Sequence, residues 1–309
     1  MRGTHTLLSL LLVLSGCTGL PQADDTAPLF QKAGYVFPYR LSEPAESRAL
    51  PNSLLEISGL GFVDDDRLAC IQDEKGIIYV YNLKSGKIEL ERAFAEDGDY
   101  EGIEIVGDDA WVLKSNGTLY KVSGYLEGPN PETTGFPTAL SGRNDTEGLA
   151  YDPVHGNLLI ACKGVPFFKD QETSHLKAVY SFNPATGQLT GKPFLLIDPD
   201  SVVRYRNPGG DGLPGKNVQD LNGEGEEREP FMPSGIAVHP LTGDIYILGS
   251  VGKLLLVYSP EGGMLAMIRL NRKLFPKPEG ICFSPEGNLF ISSEGKGQPG
   301  KIMLFKPQL

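Results

Sequence analysis

The chain has 309 residues and a formal net charge of −11, from 39 acidic and 28 basic side chains. A phosphate backbone repels a protein this acidic, so nucleic acid is excluded as an expected partner. After the N-terminus, no apolar stretch reaches the roughly 18 residues that a membrane-spanning helix needs. A helical membrane-spanning protein is therefore excluded as well.

The first residues have the pattern of a secretory signal. Arg2 precedes an apolar run over residues 7–14, and Leu14-Ser15-Gly16-Cys17 matches the lipobox that is cut before the cysteine. The sequence predicts a lipoprotein signal peptide over residues 1–16, a lipid on Cys17 and a tether over residues 17–33. Thr18 after the cysteine favours the outer membrane over the inner membrane of the cell envelope.

Three cysteines remain after Cys17, namely Cys70, Cys162 and Cys282. An odd number of thiols cannot form a complete disulfide framework. Each lies among apolar neighbours, which indicates small buried hydrophobic side chains.

A short segment of the form Glu/Ser-Gly-aliphatic opens five apolar runs along the chain. The five segments are Glu56-Ile57-Ser58-Gly59-Leu60, Tyr100-Glu101-Gly102-Ile103, Thr146-Glu147-Gly148-Leu149, Pro233-Ser234-Gly235-Ile236 and Pro278-Glu279-Gly280-Ile281. Their glycines are 43, 46, 87 and 45 residues apart. A period in the low forties made of short strands and turns predicts a β-propeller, which forms one domain over residues 34–309.

The interval of 87 residues between Gly148 and Gly235 determines the number of blades. Two blades would need eight strands there, and the pattern shows four, followed by a segment rich in Gly, Pro, Asn and Glu over residues 199–233. The sequence therefore predicts a five-bladed β-propeller with a long loop insertion at 199–233. A six-bladed propeller is the alternative.

Each repeat predicts the same order of strands. Second strands are predicted over Arg67–Gln72, Asp109–Lys114, Asn157–Cys162, Asp244–Leu248 and Asn288–Ser292. The last repeat ends after three clear strands, so an N-terminal strand must close the ring, and the apolar segment Tyr35–Leu41 is the predicted candidate. Such closure removes exposed sheet edges.

The chain resembles a known family over about residues 50 to 309. The resemblance rests on Leu55-Glu56-Ile57-Ser58-Gly59-Leu60, Gln72-Asp73-Glu74-Lys75-Gly76, Gly98-Asp99-Tyr100-Glu101-Gly102, Asp145-Thr146-Glu147-Gly148, Pro233-Ser234-Gly235 and Pro278-Glu279-Gly280. These segments resemble the SdiA-regulated (YjiK/CarP) family, a distant relative of NHL-repeat propellers that include hydrolases. The resemblance implies a five-bladed propeller and a bound calcium ion, and it implies no established reaction.

The repeats predict where a site would lie. First strands line the channel of a propeller, so the acidic residues at strand entry converge on one mouth, which also carries the long loops. The predicted metal ligands are Glu56, Glu101, Glu147 and Glu279, with Asp99 and Asp145 as weaker candidates and Ser234 as the fifth position. Carboxylates this close repel one another unless a cation or hydrogen-bond donors neutralise them, and Ca²⁺ binds six to eight such oxygens. Alternatively, each Glu accepts backbone N–H bonds from the next blade.

Other polar residues suggest weaker candidates. Lys114, Arg143 and Lys163 lie near the mouth and could hold a phosphate or carboxylate, although surface solvation explains them equally. Of the histidines, His175 alone is predicted near this face, so the parts for a Ser-His-Asp triad or a zinc site are missing. Residues 220–226 begin like an EF-hand loop, but Phe231 replaces the glutamate required at the twelfth position.

Three functional hypotheses follow. The first is a calcium-binding, membrane-anchored propeller that acts as a binding module, with the family resemblance suggesting calcium homeostasis. The second is a calcium-dependent hydrolase of phosphoesters or lactones, with Glu101 or Glu147 as general base. The third is a metal-free protein-interaction scaffold. In each case we expect a monomer that binds a small molecule or a protein at the channel mouth.

Overall fold

The computed structural model describes residues 28–166, 175–206 and 231–308, and these residues form five β-sheets arranged as the blades of a propeller. The prediction of a five-bladed, all-β propeller is confirmed. The signal peptide, Cys17, most of the tether and the segment 220–226 lie outside the described residues. No helix among the described residues has the length and apolar character needed to cross a membrane.

Three short elements precede the first blade. They are β1 (Pro28–Gln31), β2 (Glu46–Ala49) and a single 3₁₀ turn (Asn52–Leu54). Strand β1 falls within the predicted tether, so the ordered part of the chain begins earlier than residue 34.

Blades 1 and 2 are four-stranded antiparallel sheets whose strands follow one another from the axis outward. Blade 1 contains β3 (Ile57–Asp64), β4 (Arg67–Gln72), β5 (Ile77–Asn82) and β6 (Lys87–Ala93). Blade 2 contains β7 (Tyr100–Val106), β8 (Asp109–Lys114), β9 (Leu119–Ser123) and β10 (Glu132–Phe136).

Blade 3 has a divided outer strand. Its strands are β11 (Thr146–Asp152), β12 (Asn157–Cys162), β13 (Lys177–Asn183), β14 (Gln188–Leu189) and β15 (Leu195–Ile197). Both β14 and β15 pair with β13. The predicted loop insertion at 199–233 begins with helix α1 (Pro199–Arg206).

Blades 4 and 5 include the N-terminal strands. Blade 4 contains β16 (Met232–Val238), β17 (Ile245–Val251), β18 (Leu254–Tyr258) and β19 (Met264–Arg269), with β1 added outside β19. Blade 5 contains β20 (Lys277–Phe283), β21 (Leu289–Glu294) and β22 (Lys301–Phe305), and β2 is its fourth strand. The predicted second strands of blades 1 to 3 are confirmed residue for residue. Those of blades 4 and 5 each begin one residue later and run farther than predicted.

The closure of the ring by an N-terminal strand is confirmed, but the predicted segment Tyr35–Leu41 is wrong. The closing strand is β2, whose residues are mostly exposed because an outermost strand faces water. Tyr39 and Leu41 are instead buried among the apolar side chains of blades 4 and 5. The Tyr39 hydroxyl donates to the Gly287 carbonyl at 2.6 Å. Their apolar character reflects this packing and not a place in a sheet.

The core of the described residues is divided among the five spaces between neighbouring blades. Each space holds one cluster of buried side chains. Cys70, Cys162 and Cys282 are free and buried, as predicted, with Cys70 and Cys282 in the cluster between blades 5 and 1 and Cys162 in the cluster between blades 2 and 3. Burial raises the pKa of all three thiols.

The glycine of each repeat marks where adjacent blades approach at the axis. A Cβ added at four of these glycines would lie between 2.8 and 3.0 Å from a backbone nitrogen of the next blade, and one at Gly235 would collide with the Glu279 carbonyl. These four contacts are Gly59 with Ile103 N, Gly102 with Leu149 N, Gly148 with Ile236 N and Gly280 with Leu60 N. Glycine therefore recurs because neighbouring backbones occupy the space of a side chain.

Candidate functional site at the channel mouth

Every inner strand contains a β-bulge at its repeat motif. The pairing with the second strand shifts so that one extra residue faces the axis, next to the glycine. The residues at this position are Ser58, Glu101, Glu147, Ser234 and Glu279. A bulge turns a side chain away from its regular direction and is frequent beside functional sites. Here it places five equivalent residues beside the axis, where four of the five side chains line a cavity.

Four of these residues line a small axial cavity. Ser58, Glu101, Glu147 and Glu279 surround it together with repeat glycines and the aliphatic residues that follow them. Its volume is about 10 Å³, which is close to the minimum that holds one water molecule. The space that these residues enclose at the axis is therefore nearly filled.

The two serines tie neighbouring blades together. Ser58 Oγ donates to the Tyr100 carbonyl at 2.6 Å, and Ser234 Oγ donates to the Pro278 carbonyl at 2.8 Å. Both serines are buried. These serines donate to carbonyls of the next blade, whereas the alternative interpretation has each glutamate accept from a backbone N–H of the next blade.

The five bulge residues form a ring around the axis, and the structure does not place Glu56 in this ring. This residue is exposed and precedes β3, and Ser58 occupies the blade-1 position that Glu101 occupies in blade 2. Counting back from the glycine shows that Glu56 corresponds to Asp99 and Asp145, two residues before the ring position. Glu56 is therefore a residue of the rim.

Glu147 is held by a lysine. Its side chain is buried, and Lys163 Nζ lies 2.5 Å from Glu147 Oε1 and 3.4 Å from an Asp145 carboxylate oxygen. Burial raises the pKa of Glu147 to about 7, although Lys163 acts to lower it. Burial alone would lower the pKa of Lys163, but Glu147 and Asp145 raise it above its usual value.

Glu279 has a similar arrangement on the other side of the axis. Lys277 Nζ lies 3.3 Å from Glu279 and 2.6 Å from Glu294. Burial raises the pKa of Glu279 to about 8, against the opposing effect of Lys277 and with a further contribution from Glu147.

Glu101 differs from the other two glutamates. The ion pairs of the described residues place a lysine on Glu147 and on Glu279 but none on Glu101. Burial, the charge of Glu147 and a hydrogen bond with Asp99 raise the pKa of Glu101 to about 10. Without a bound cation, this carboxyl group holds a proton at neutral pH.

Asp73 adds a further carboxylate on the rim. One of its carboxylate oxygens is buried and has no hydrogen-bond partner among the described residues. Burial raises the pKa of Asp73 to about 6, and the charges of Glu56 and Glu294 contribute. The mouth therefore carries more carboxylates than its lysines neutralise locally.

The remaining predicted residues are less central. The ammonium group of Lys114 lies 5.5 Å from the centre of the Tyr100 ring, which is a cation–π contact. Arg143 is exposed, and its backbone bonds to Ser141 and Val165. His175 groups with Asp198 and Asp200 on blade 3, and not with the axial glutamates.

Sequence reasoning missed three lysines at the mouth. Lys277 stands two residues before Glu279, where blades 2 and 3 carry Asp99 and Asp145, so alignment of the repeats could have found it. Burial and then the charge of Lys296 lower the pKa of Lys253 to about 8. Lys253 and Lys296 have left-handed backbones with φ of 50° and 47°. Neither Lys253 nor Lys296 belongs to the repeat motif, so comparison of the repeats does not point to them.

The axial glutamates have the donor chemistry that a hard cation prefers, but their oxygens are too far apart for all three to bind one cation as they stand. Glutamate and aspartate oxygens are the hard donors that Ca²⁺ prefers. Among the described residues, the acidic group whose donor atoms all lie within 4.8 Å of one another is His175, Asp198 and Asp200, and the axial glutamates do not meet this criterion. A cation at the axis would therefore contact two of them at once, or draw the third inward.

No protein-family model matches this sequence, and no curated protein matches it either. Solved structures with a similar fold include the PQQ-bound aldose sugar dehydrogenase of Streptomyces coelicolor, with a TM-score of 0.50 and 13% identity over 86% of this chain and 98% of that chain. The gluconolactonase XC5397 of Xanthomonas campestris has a TM-score of 0.45 and 16% identity over 77% of this chain and 68% of that chain. Virginiamycin B lyase of Staphylococcus aureus has a TM-score of 0.41 and 13% identity over 84% of this chain and 73% of that chain. At these identities the similarity is one of fold, and the propellers that share it include enzymes.

Proposed function

We propose that this protein is a calcium-binding, lipid-anchored β-propeller that acts as a binding module of the cell envelope. Glu101, Glu147 and Glu279 would supply the ligands at the channel mouth. The observation that carries the proposal is the convergence of these three carboxyl groups on a space of about 10 Å³, with pKa values raised to about 10, 7 and 8. Such groups repel one another when ionised, and a divalent cation relieves that repulsion.

The donor set favours calcium over softer metals. The charged ring positions carry carboxylates, and Asp99 and Asp145 stand beside two of them. Zinc and copper sites are built mainly from histidine and cysteine. The resemblance to the SdiA-regulated (YjiK/CarP) family supports the same cation and a role in calcium homeostasis.

Calcium titration tests the proposal. When the free calcium concentration is 100 times the dissociation constant, binding adds about 2.7 kcal/mol to the free energy of unfolding. We expect this gain, measured by denaturant unfolding in calcium against chelator, in the wild type and in Glu56→Gln. We expect it to be lost in Glu101→Gln. Both variants replace a glutamate with glutamine on the same face of the propeller. An equal calcium-dependent increase in the free energy of unfolding of both variants would therefore refute an axial site.

Anchoring is tested separately. Cys17 lies outside the described residues, and its lipidation rests on the lipobox. Labelling with radioactive palmitate should modify the wild type and not Cys17→Ala, and membrane fractionation should place the labelled protein in the outer membrane. An unlabelled wild type would contradict the anchor without bearing on the calcium site.

Glu147 favours a second candidate function, that of a calcium-dependent hydrolase. A general base works best when its pKa is near the operating pH, and burial brings Glu147 to about 7. Hydrolysis of p-nitrophenyl phosphate and of a simple lactone in the presence of calcium tests this function. Activity that is unchanged in Glu147→Gln would argue against it.

A further inference from the structure

The segment 32–45 joins β1 to the closing strand β2 and crosses blades 4 and 5 on the face opposite the mouth. We call it the N-terminal strap. Four of its side chains pack into the cluster between these two blades, and they are Tyr35, Phe37, Tyr39 and Leu41. The strap also makes a polar contact with blade 4, between Tyr39 and His239.

His239 lies at the turn after β16 and is buried. Its Nε2 atom lies 3.0 Å from the Tyr39 hydroxyl oxygen. This hydroxyl group donates its one hydrogen to the Gly287 carbonyl at 2.6 Å, so it can only accept a hydrogen bond from the imidazole. Nε2 of His239 therefore carries a hydrogen.

The second nitrogen of the His239 ring is an acceptor. The backbone N–H groups of Leu241 and Thr242 donate to Nδ1, and each backbone nitrogen lies 3.3 Å from it. An N–H group cannot accept a hydrogen bond, so Nδ1 carries no hydrogen. These contacts fix His239 as the neutral Nε2–H tautomer and use both of its nitrogens.

The corresponding turn of blade 3 uses a carboxylate as the acceptor. Asp152 and His239 each follow the glycine of their repeat by four residues. Asp152 Oδ1 accepts from Val154 N at 3.0 Å and from His155 N at 3.3 Å. A carboxylate remains an ionised acceptor down to about pH 4, whereas a free imidazole is protonated near pH 6.5 and then has no acceptor. Blade 4 therefore has an acid-sensitive acceptor where blade 3 has an acid-stable one.

The surroundings of the His239 ring oppose a positive charge. The rings of Tyr246 and Phe283 pack against it, with centroids 6.0 Å and 4.9 Å away. The described histidines that form ion pairs with carboxylates are His155 and His175, and His239 is not among them. Burial lowers the pKa of His239. The titratable and charged residues that the elements packed against the ring carry on this face are Lys32, Tyr35, Tyr39, Arg40 and Glu43 of the strap, Asp244 and Tyr246 of blade 4, and Glu286 of the turn after β20.

We propose that the strap is an acid-sensitive latch, which protonation of His239 at Nδ1 releases from blades 4 and 5. The protonated ring would point a new N–H at the two backbone donors of its own turn, and it would carry a buried charge without a paired carboxylate. It gains water only by leaving its pocket, and the strap covers that pocket through Tyr39. The proposal rests neither on calcium binding nor on the lipid anchor.

The direction of the pH effect follows from linkage. In the detached form His239 titrates near pH 6.5, as a free histidine does, and in the attached form its pKa is lower. The detached form therefore binds the proton more tightly. Attachment is complete above about pH 6.5 and weakens as pH falls, by about tenfold for each pH unit between the two pKa values.

Amide hydrogen exchange of the full chain, read by mass spectrometry, tests the latch. Rates at pH 7.5 and pH 5 are compared after correction for the intrinsic rate at each pH. We expect peptides from the strap and from the turn 239–243 to lose about tenfold in protection at pH 5. Peptides from the turn 152–156 of blade 3 should lose none. A local measurement is needed because the axial glutamates, whose pKa values are raised, stabilise the whole fold as pH falls.

Two matched variants identify the group that titrates. His239→Asn keeps an acceptor at the turn, as Asn183 Oδ1 does for the N–H groups of Ala185 and Thr186, and it cannot be protonated. Its strap should have the same protection at pH 7.5 and pH 5. His155→Asn removes the histidine of the blade-3 turn and should keep the pH dependence of the wild-type strap.

Should His239→Asn fail to fold, the imidazole ¹⁵N chemical shifts of the wild type test the same geometry, and we expect an Nε2–H tautomer at pH 7.5. An Nδ1–H tautomer would overturn the proposal. So would equal protection of the wild-type strap at both pH values, or a pH dependence that remains in His239→Asn. A loss of protection at pH 5 that is as large in the blade-3 turn as in the strap would show general acid unfolding instead of a latch.

Discussion

The ammonium group of Lys163 lies 2.5 Å from Glu147 Oε1, beside the axis of the propeller. This lysine occupies the position of a counterion at a carboxylate that also faces Glu101 and Glu279. A divalent cation at the mouth must compete with this ammonium group for the same oxygen. At the proposed calcium site, this lysine would therefore weaken the binding of a cation.

The first prediction concerns this competition. Lys163→Met should bind calcium more tightly than the wild type at pH 8.5, on the order of tenfold, because a positive charge within about 4 Å of the site is removed. Isothermal titration calorimetry measures the change. Lys75→Met removes an exposed lysine that pairs with Asp97, and it should leave the affinity unchanged. Weaker calcium binding in Lys163→Met would contradict the assignment.

The second prediction concerns pH. In the folded protein the pKa values of Glu147 and Glu279 are raised to about 7 and about 8, from an ordinary 4.5. The folded state therefore binds these protons more tightly than the unfolded state does. In chelator, the free energy of unfolding should fall as pH rises from about 5 to about 8, and the pKa of Glu101, raised to about 10, should extend the fall to about pH 10.

Calcium should reverse part of this fall, because the cation binds the ionised carboxylates. Denaturant unfolding at a series of pH values measures both curves. Glu279→Gln should flatten the chelator curve. Identical curves with and without calcium would contradict the axial site.

The third prediction concerns the approach of the blades. Gly148→Ala should lower the free energy of unfolding by about 1–3 kcal/mol, since the added Cβ would lie 2.8 Å from Ile236 N and 2.9 Å from Gly235 Cα. Gly142→Ala is the matched control, because a Cβ at Gly142 meets nothing within 4 Å. Equal stabilities for the two variants would show that the axis can widen without cost.

The fourth prediction concerns the N-terminal segment. Tyr39→Phe removes the hydroxyl that donates to the Gly287 carbonyl and lies 3.0 Å from His239 Nε2. It should destabilise the protein by about 1–3 kcal/mol, the cost of leaving a buried polar group unpaired. Its calcium affinity should stay at the wild-type value, because the contact lies on the face opposite to the mouth. A calcium affinity that falls with stability would show that the two faces are coupled.

Much of the fold could be predicted because the same order of strands and turns recurs in five segments of the sequence. The glycine spacing and the turns predicted the blade number and three second strands without error. The closing strand was predicted wrongly, because apolarity was taken as the sign of a strand. An outermost strand such as β2 is polar, and the apolar Tyr39 and Leu41 are buried without belonging to a sheet.

The site was predicted in part. Glu101, Glu147 and Glu279 are at the axis as expected, whereas Glu56 is not, because the bulge sets the ring position immediately before the glycine. Glu56 stands two positions too early. Lys163 was predicted near the mouth, and alignment of the repeats could have found Lys277, but the pairing of Lys163 with Glu147 could not be predicted, since it depends on where β12 ends relative to β11. Such cross-strand distances follow from register and not from the sequence of one repeat.

The ring of glycines affects how a small molecule can enter and leave the channel mouth. Because neighbouring inner strands are in contact at every repeat glycine, and the space they enclose at the axis has room for about one water molecule, nothing larger than water passes this level of the axis. Whatever binds there enters and leaves by the same opening, so a departing molecule must clear the mouth before the next can reach it.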